Sequence, residues 1–371
     1  MTVIGAGLIG TSVALAVSRA GVTVHLADRD PAAVRVAAAL GAGHARGPAA
    51  PVDLAVLAVP PSQVAAVLAD AQERGIARAY TDVASVKAGP EQAALHHAPD
   101  PARYVGGHPL AGRERSGPLA ARAELFHDRN WVLTPSRLTS DAAFERALEL
   151  VALCGAVPVV MRSRDHDAAV AVTSHVPHLL ASLMAARLGE GPAGLDRVAG
   201  QGLRDATRVA GGDSRLWSDI LQANAGAVAD VLRELHTDLS RLVPAVDALA
   251  RSGGPDRELG MRTLVDLLDR GVSGRARLPG AAPGGDGRHT VRVAVDDRPG
   301  ELARLFAAVA GLGVTAEDAA VNAPAEAGLT VRFAVPQPTA DRLVAALAAG
   351  GWDAVPEWAA HTPRAPVGPV G

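Results

Sequence analysis

Short apolar runs alternate with helical segments along the N-terminal part of the chain. The apolar runs Thr2–Ile4, Val22–Ala27, Val52–Val59 and Ala79–Val83 are predicted strands, and helical patterns separate each from the next. Because a parallel strand pair needs a crossover connection, strands that alternate with helices predict a doubly wound parallel sheet. The first strand has few residues before it, so it is either short or begins upstream of this sequence.

The pattern changes from Ser140 onward. Helical periodicity then dominates, and it gives way to strand-helix-strand-strand-helix-strand near the C-terminus, the order of a ferredoxin-like unit. One Gly- and Pro-rich stretch separates the helical part from the last part, and a Pro-rich stretch follows the last part. The sequence therefore predicts five parts: a sheet domain (1–139), an all-helical domain (140–275), a linker (276–287), a small α+β domain (288–358) and a disordered tail (359–371).

Composition narrows the function classes. The net charge of -3 and the absence of a basic block argue against a nucleic-acid partner. With a single cysteine, the chain cannot form an internal disulfide, and we expect no metal site. Glycines interrupt the apolar run Val3–Val17 and no positive charge precedes it, so we expect no signal peptide, no membrane span and a cytoplasmic protein.

A glycine motif follows the first strand and opens a helix. Gly5 allows a tight turn, Gly7 leaves the backbone open to a pyrophosphate, and Gly10 lets the helix pack on the strand. Asp28 ends the next strand, where a carboxylate bonds the ribose hydroxyls and repels a 2′-phosphate; Arg29 weakens that preference. This arrangement predicts a Rossmann-like NAD-binding domain, with a purely structural glycine turn as the alternative. Further cofactor contacts are expected from Leu8, Ile9, Val59 and Pro60.

Polar residues that fit an active site follow later strands and lie on the helical domain. His108 stands between glycine and proline on a predicted loop. Ser85 follows the predicted strand Ala79–Val83. In the helical domain Ser174 and His178 have the i, i+4 spacing of one helix face, and Pro177 should bend that helix. Satisfied interior histidines remain an alternative interpretation, and a solvated basic face remains one for Arg208.

The combination of these motifs resembles the prephenate dehydrogenase family over roughly residues 1–280. The matching pieces are the glycine motif, Ser85-Val86-Lys87, Gly107-His108-Pro109-Leu110-Ala111-Gly112, Ser174-His175-Val176-Pro177-His178 and Asp205-Ala206-Thr207-Arg208. The resemblance implies that His108 accepts the proton of the substrate hydroxyl with Ser85 as a hydrogen-bond partner, and that Arg208 holds the ring carboxylate. It also implies a substrate pocket completed by His178, His175, Ser174, Glu114 as a gating residue, and Trp217.

The resemblance implies an NAD-dependent homodimer that converts prephenate to 4-hydroxyphenylpyruvate in tyrosine biosynthesis. Arogenate is an alternative substrate. A more distant alternative function is that of a non-catalytic sensor of NAD and an amino acid. The turn Arg298–Leu302 is similar to that of an ACT domain. This similarity predicts either feedback by tyrosine or a domain that only helps dimerisation.

Overall fold

The structure is a computed structural model. It describes residues 1–112, 117–191, 194–251, 254–278, 288–296, 298–315, 318–322 and 329–357. Glu114, most of the predicted linker and the predicted tail lie outside the described residues. The chain divides into two compact units, Met1–Asp238 and Leu239–Gly371.

One seven-stranded sheet forms the centre of the first unit. Its strands are β1 (Thr2–Ile4), β2 (His25–Ala27), β3 (Val52–Leu57), β4 (Ala77–Asp82), β5 (Tyr104–Pro109), β6 (Asn130–Thr134) and β7 (Val157–Val160). Their order is β2-β1-β3-β4-β5-β6-β7, and β1 to β5 pair in parallel. This arrangement confirms the predicted Rossmann-like α/β fold. The sheet continues past residue 139, where the sequence places the domain boundary.

Helices pack on the sheet because each has an apolar face. They are α1 (Leu8–Arg19), α2 (Pro31–Ala39), α3 (Val64–Glu73), α4 (Ala88–His97) and α5 (Asp141–Leu153). Val13 and Val17 of α1 and Leu150 of α5 are buried in one core with Val3 and Val56 of the strands. Side-chain caps begin two of these helices, since Asp30 accepts from the Ala32 N–H and Ser140 from the Ala143 N–H.

The far edge of the sheet adds an antiparallel strand that the sequence analysis did not predict. β6 runs antiparallel to β5, and β7 runs parallel to β6. The described part of the β5–β6 connection contains only the 3-10 turns Pro118–Ala120 and Ala123–Phe126, and without a crossover helix the chain returns antiparallel. As a result His108 lies within β5, opposite Val132, and not on the predicted loop.

Helices complete the first unit. They are α6 (Ser163–Val170), α7 (Val176–Glu190), α8 (Gln201–Thr207), α9 (Ser214–Ala223) and α10 (Ala225–Ala250), which continues into the second unit. A π-helical turn, Ala171–His175, joins α6 to α7 directly before Pro177. The wide turn accommodates the missing N–H of this proline.

Burial differs between the two residues that the sequence predicts on one face of this helix. Ser174 is exposed whereas His178 is buried, and their common face stays a prediction. The continuous helix Ser163–Glu190 is long and apolar enough to cross a membrane by length and composition alone, a property that core helices of globular proteins share. In this structure it carries buried polar residues, among them His166 and Asp167.

The second unit ends in a small α+β sheet. After α11 (Pro255–Arg275) come β8 (Arg288–Val295), α12 (Glu301–Ala310), β9 (Ala319–Asn322), β10 (Leu329–Pro336), α13 (Gln337–Ala349) and β11 (Ala354–Pro356). The sheet order is β11-β8-β10-β9, and all neighbours are antiparallel. Val293, Leu305, Phe333 and Leu347 form its core. The element order agrees with the predicted ferredoxin-like unit, while its ACT character stays a prediction.

Candidate active site

The glycine motif forms a turn whose backbone is open on one side. Gly5 has φ +110°, and a Cβ there would lie 2.1 Å from the Ala58 carbonyl oxygen. A Cβ at Gly10 would lie 1.9 Å from the Gly5 carbonyl oxygen, whereas one at Gly7 would meet no described atom within 4 Å. Gly5 and Gly10 are thus required by packing. Gly7 leaves space beside the start of α1, where N–H groups face outward.

Asp28 is held beside this turn. Its carboxylate oxygens accept hydrogen bonds from the Ala6 N–H at 2.6 Å and from the Asp30 N–H at 2.8 Å. A carboxylate oxygen accepts two hydrogen bonds, so acceptor sites remain for a ribose. Arg29 next to it is exposed. The four other predicted cofactor residues are half-buried: Leu8, Ile9, Val59 and Pro60.

His108 begins a series of three hydrogen-bonded side chains. Its Nδ1 lies 2.8 Å from Nε2 of His166, and Nδ1 of His166 lies 2.8 Å from Oδ1 of Asp167. A carboxylate only accepts, so Nδ1 of a neutral His166 carries the proton and its Nε2 accepts from Nδ1–H of His108. The series therefore fixes the tautomer of His108 in which Nε2 has a free lone pair.

The surroundings keep this imidazole neutral. Burial lowers the pKa of His108 well below 6.5, and His166, Lys87 and His175 lower it further. A neutral imidazole with a free Nε2 is a proton acceptor.

Asp167 ties the loop after β4 to this series. Its two carboxylate oxygens accept from the backbone N–H groups of Lys87 and Ala88, each at 2.8 Å. These N–H groups lie at the N-terminus of α4, where a negative charge is favourable. Ser85 is half-buried in the same loop, and its predicted hydrogen bond to His108 stays a prediction.

A second set of polar side chains, from the helices, is linked to Asp167. The Asn224 side-chain amide lies 2.8 Å from the Asp167 carbonyl oxygen and 3.0 Å from Nδ1 of His175. His175 is buried, and burial is the main cause that lowers its pKa to about 4. Its ring meets the edge of Trp217 at a centroid distance of 6.2 Å.

His178 and Trp217 form a stacked pair. Their ring centroids are 3.6 Å apart, with planes at 14°. A Cβ at Gly212 would lie 2.6 Å from Nε1 of Trp217, so only glycine fits beside the pair. Nδ1 of His178 is buried and has no hydrogen-bond partner among the described residues. Because an unpaired buried polar atom is costly, this nitrogen is a candidate contact for a ligand.

Arg208 lies at the start of the 3-10 turn Arg208–Gly211, which packs against α7 and leads to Gly212. Its side chain is exposed, as is that of Ser174. The structure therefore groups His108, His175, His178 and Trp217 through the contacts above. The convergence of Arg208 and His108 on one ligand stays a prediction, and Glu114 lies outside the described residues.

The nucleotide side of the unit is connected to the helix that carries Trp217. The Ser62 N–H donates to Oδ2 of Asp219 on α9 at 3.3 Å. Ser62 belongs to the turn that follows Val59 and Pro60. This contact brings the predicted cofactor loop and the predicted substrate helix together.

Sequence reasoning missed His166, Asp167 and Asn224. A signal for two of them was present, because His166 and Asp167 directly precede the apolar run Ala168–Val172, and polar groups next to a buried run are expected to be paired with other polar groups. Their partners lie far away along the chain, and spacing alone does not identify such partners. Among the described residues there is no group of three or more His, Cys, Asp or Glu side chains that could hold a metal ion.

Comparison with protein families agrees with this architecture. The family described as "Prephenate dehydrogenase, nucleotide-binding domain" matches residues 13–160, and "Prephenate dehydrogenase, dimerization domain" matches residues 162–253. The chain is also 43% identical over 356 residues to a Streptomyces niveus protein named "Probable prephenate dehydrogenase NovF", with 95% of this chain and 98% of that one covered. The chain belongs to the prephenate dehydrogenase family.

Other members of the family are more distant. The prephenate dehydrogenase of Bacillus subtilis is 28% identical over 82% of this chain and 83% of its own length. A crystal structure of prephenate dehydrogenase from A. aeolicus, in complex with hydroxyphenyl propionate and NAD+, has a TM-score of 0.63 at 24% identity. The match covers 73% of this chain and 96% of that one, and it shows that the fold is shared.

Proposed function

We propose that this protein is a cytoplasmic, NAD-dependent prephenate dehydrogenase that makes 4-hydroxyphenylpyruvate for tyrosine biosynthesis. The observation that carries the proposal is the His108–His166–Asp167 series at the carboxyl end of β5. In an open parallel sheet, ligands bind at the edge where the carboxyl ends of the strands lie. The end of β5 and the glycine turn after β1 both lie at this edge. Membership of the family supports the reaction, and the matched dimerization domain supports a homodimer.

The residues of the glycine turn fit a dinucleotide. The open space beside Gly7 and the outward N–H groups of α1 suit a pyrophosphate, and the fixed carboxylate of Asp28 suits a ribose with free hydroxyls. NAD, when bound, accepts the hydride that leaves the carbon bearing the 4-hydroxyl of prephenate. The ring then loses carbon dioxide and becomes aromatic.

His108 supplies the base. As hydride departs, positive charge builds at the carbinol carbon, and Nε2 of His108 takes the hydroxyl proton. The series through His166 to Asp167 holds this nitrogen unprotonated, and burial keeps the imidazole neutral. Ser85 is a further hydrogen-bond partner of the reacting hydroxyl or of His108.

The helical part of the unit binds the rest of the substrate. Arg208 pairs its guanidinium with the ring carboxylate. His178, which stacks on Trp217 and whose Nδ1 lacks a described partner, contacts the pyruvyl side chain. His175, Ser174 and Glu114 complete the pocket, with Glu114 as its gate.

A turnover assay tests the proposal. Prephenate and NAD should give NADH and carbon dioxide in equal amounts, and arogenate should react more slowly. Faster turnover of arogenate would make arogenate the substrate. Tight NAD binding without turnover of either compound would contradict an enzyme and support the sensor.

The C-terminal α+β sheet is the proposed site of tyrosine feedback. The turn before α12 contains Arg298 and Gly300, and Gly300 has φ +89°. Tyrosine added to the full-length enzyme should reduce turnover of prephenate. Inhibition that persists after removal of residues 286–371 would mean that the effector binds outside this sheet.

A further inference from the structure

The only lysine of the chain is buried beneath the proposed base. Lysine and arginine together number 36, and Lys87 is the single lysine. Its side chain and that of Asp82 are both 0% exposed. A chain that uses arginine at every other cationic position therefore has an ammonium group at one fully buried point.

The contacts of this ammonium explain why lysine is used. Nζ donates to Oδ1 of Asp82 and, at 2.6 Å, to the Gly107 carbonyl oxygen. An ammonium is a compact donor, whereas a planar guanidinium is larger and requires a wider site. The Lys87 side chain also passes beside Gly106 of β5, where a Cβ would lie 3.4 Å from Cδ of Lys87, an ordinary contact distance.

These contacts close a ring of interactions that contains the proposed base. From Nζ of Lys87 the ring passes through the Gly107 carbonyl to His108, and through His166 to Asp167. Asp167 then accepts from the backbone N–H of Lys87. One residue thus holds both the strand that carries His108 and the carboxylate that orients it.

Asp82 is a fixed counter-charge for this lysine. Besides Nζ, it accepts from the Ala84 N–H at 2.7 Å and from the Tyr104 hydroxyl at 2.6 Å. Burial and the charge of Asp82 raise the pKa of Tyr104 well above 10, so the phenol stays a donor. Burial lowers the pKa of Lys87, and the charge of Asp82 opposes this change.

We propose that Lys87 is a positioning residue for the reaction assigned above: its ammonium sets the place of His108 through the Gly107 carbonyl, while its backbone N–H helps to hold the Asp167 carboxylate that orients the base. The inference rests on the proposed function. The ionisable groups around His108 are His166 of α6, His175 of the π turn and Lys87 of the loop, with Asp82 and Asp167 behind them. Of these, Lys87, paired with Asp82, contributes a positive charge that disfavours an imidazolium.

Kinetics of two variants form the first part of the test. Lys87→Met leaves Asp82 unpaired in the interior and can fail to fold, so the double variant Asp82→Asn/Lys87→Met, which removes both charges, accompanies it. We expect kcat to fall on the order of 10²-fold, as for a misplaced catalytic group, while KM for prephenate and NAD change little. Tyr104→Phe is the matched control: it removes one donor to Oδ2 of Asp82 and leaves both contacts of the Lys87 ammonium in place, so kcat should be retained.

A readout that is independent of turnover forms the second part. Histidine labelled at Cε1 reports the titration of His108, assigned by the loss of its signal in His108→Asn. In the folded double variant, His108 should protonate at higher pH than in the wild type, and the acidic limb of kcat/KM should move upward with it.

The two proposals fail in different ways. A wild type that turns over neither prephenate nor arogenate would contradict the function, while the titration of His108 would still test Lys87. Full turnover by the folded double variant, or an unchanged titration of His108, would overturn the role of Lys87 alone.

Discussion

The two halves of the candidate site differ in how far their proposed charged and proton-accepting groups are exposed. On the sheet side His108, His166 and Asp167 are hydrogen-bonded in series, and Lys87 beneath them is fully buried. On the helical side Arg208 is exposed. A base held in advance acts in the transition state, whereas an exposed arginine that pairs with a carboxylate binds the substrate before the reaction as well as during it. Changes on the sheet side should therefore lower kcat, and changes on the helical side should raise KM.

The largest expected effect comes from His108→Asn. Loss of the proton acceptor should reduce kcat by a factor on the order of 10² to 10⁴, with little change in KM, because acid-base help is worth about that much. Steady-state kinetics with prephenate measure it. His97→Asn, on the exposed end of α4, is the control, and near-normal kcat in His108→Asn would remove the base from the mechanism.

The pH profile of the wild type sharpens this prediction. The folded-state pKa of His108 is lowered below 6.5, so the neutral, active imidazole persists as the pH falls through 6.5. Activity should disappear only when the pH falls through that lowered value. An acidic limb of kcat/KM at or above 6.5 would contradict the assignment.

Arg208→Ala is expected to act on binding. Removing a charged hydrogen-bond partner typically costs about 1.5–3 kcal/mol. KM for prephenate should therefore rise roughly 10- to 10²-fold while kcat changes less. Arg204→Ala, one turn earlier and equally exposed, is the matched control. Equal KM values for the two variants would mean that Arg208 belongs to a solvated surface.

Asp167→Asn should give a smaller loss on the sheet side. An amide oxygen replaces one carboxylate oxygen, and the NH₂ group then faces a backbone N–H, so the His166 tautomer is no longer fixed. We expect kcat to fall about tenfold, a loss typical of a small misplacement of a catalytic group. Asp165→Asn is the control, since Asp165 pairs with Arg162 at the surface. Equal kcat for both variants would show that Asp167 does not orient His108.

The smallest effect concerns the cofactor. Asp28→Ser removes the charge that disfavours a 2′-phosphate, so the ratio of kcat/KM for NAD to that for NADP should fall several-fold. Arg29→Ala should change the ratio in the opposite direction. Isothermal titration of both nucleotides provides an independent measure, and an unchanged ratio in Asp28→Ser would reject the ribose contact.

Local signals predicted the nucleotide half of the fold well. The glycine motif, the strands around it and Asp28 lie within 28 residues, and packing explains Gly5 and Gly10 as expected. His108 was identified as a site residue but was placed on a loop. Its strand exists because β6 returns antiparallel beside it, and that pairing depends on a connection without a crossover helix.

The partners of the base were harder to predict because they are distant in sequence. His166 contacts His108 across 58 positions, and Asn224 contacts Asp167 across 57. Periodicity shows which face of a helix is polar but not what that face meets. The one available hint for Lys87 was compositional, since a lone lysine among many arginines is unusual in itself.

The wide turn Ala171–His175 gives the helix Ser163–Glu190 one residue more than a regular α-helical turn holds. Asp167 belongs to the segment before the turn, and His178 to the segment after it. Because the wide turn already takes up this one residue, insertion of a further residue would rotate the second segment by about 100° relative to the first. Such an insertion would carry His178 away from Trp217 while the chain stayed helical. This helix is therefore far less tolerant of a change in length than its apolar composition suggests.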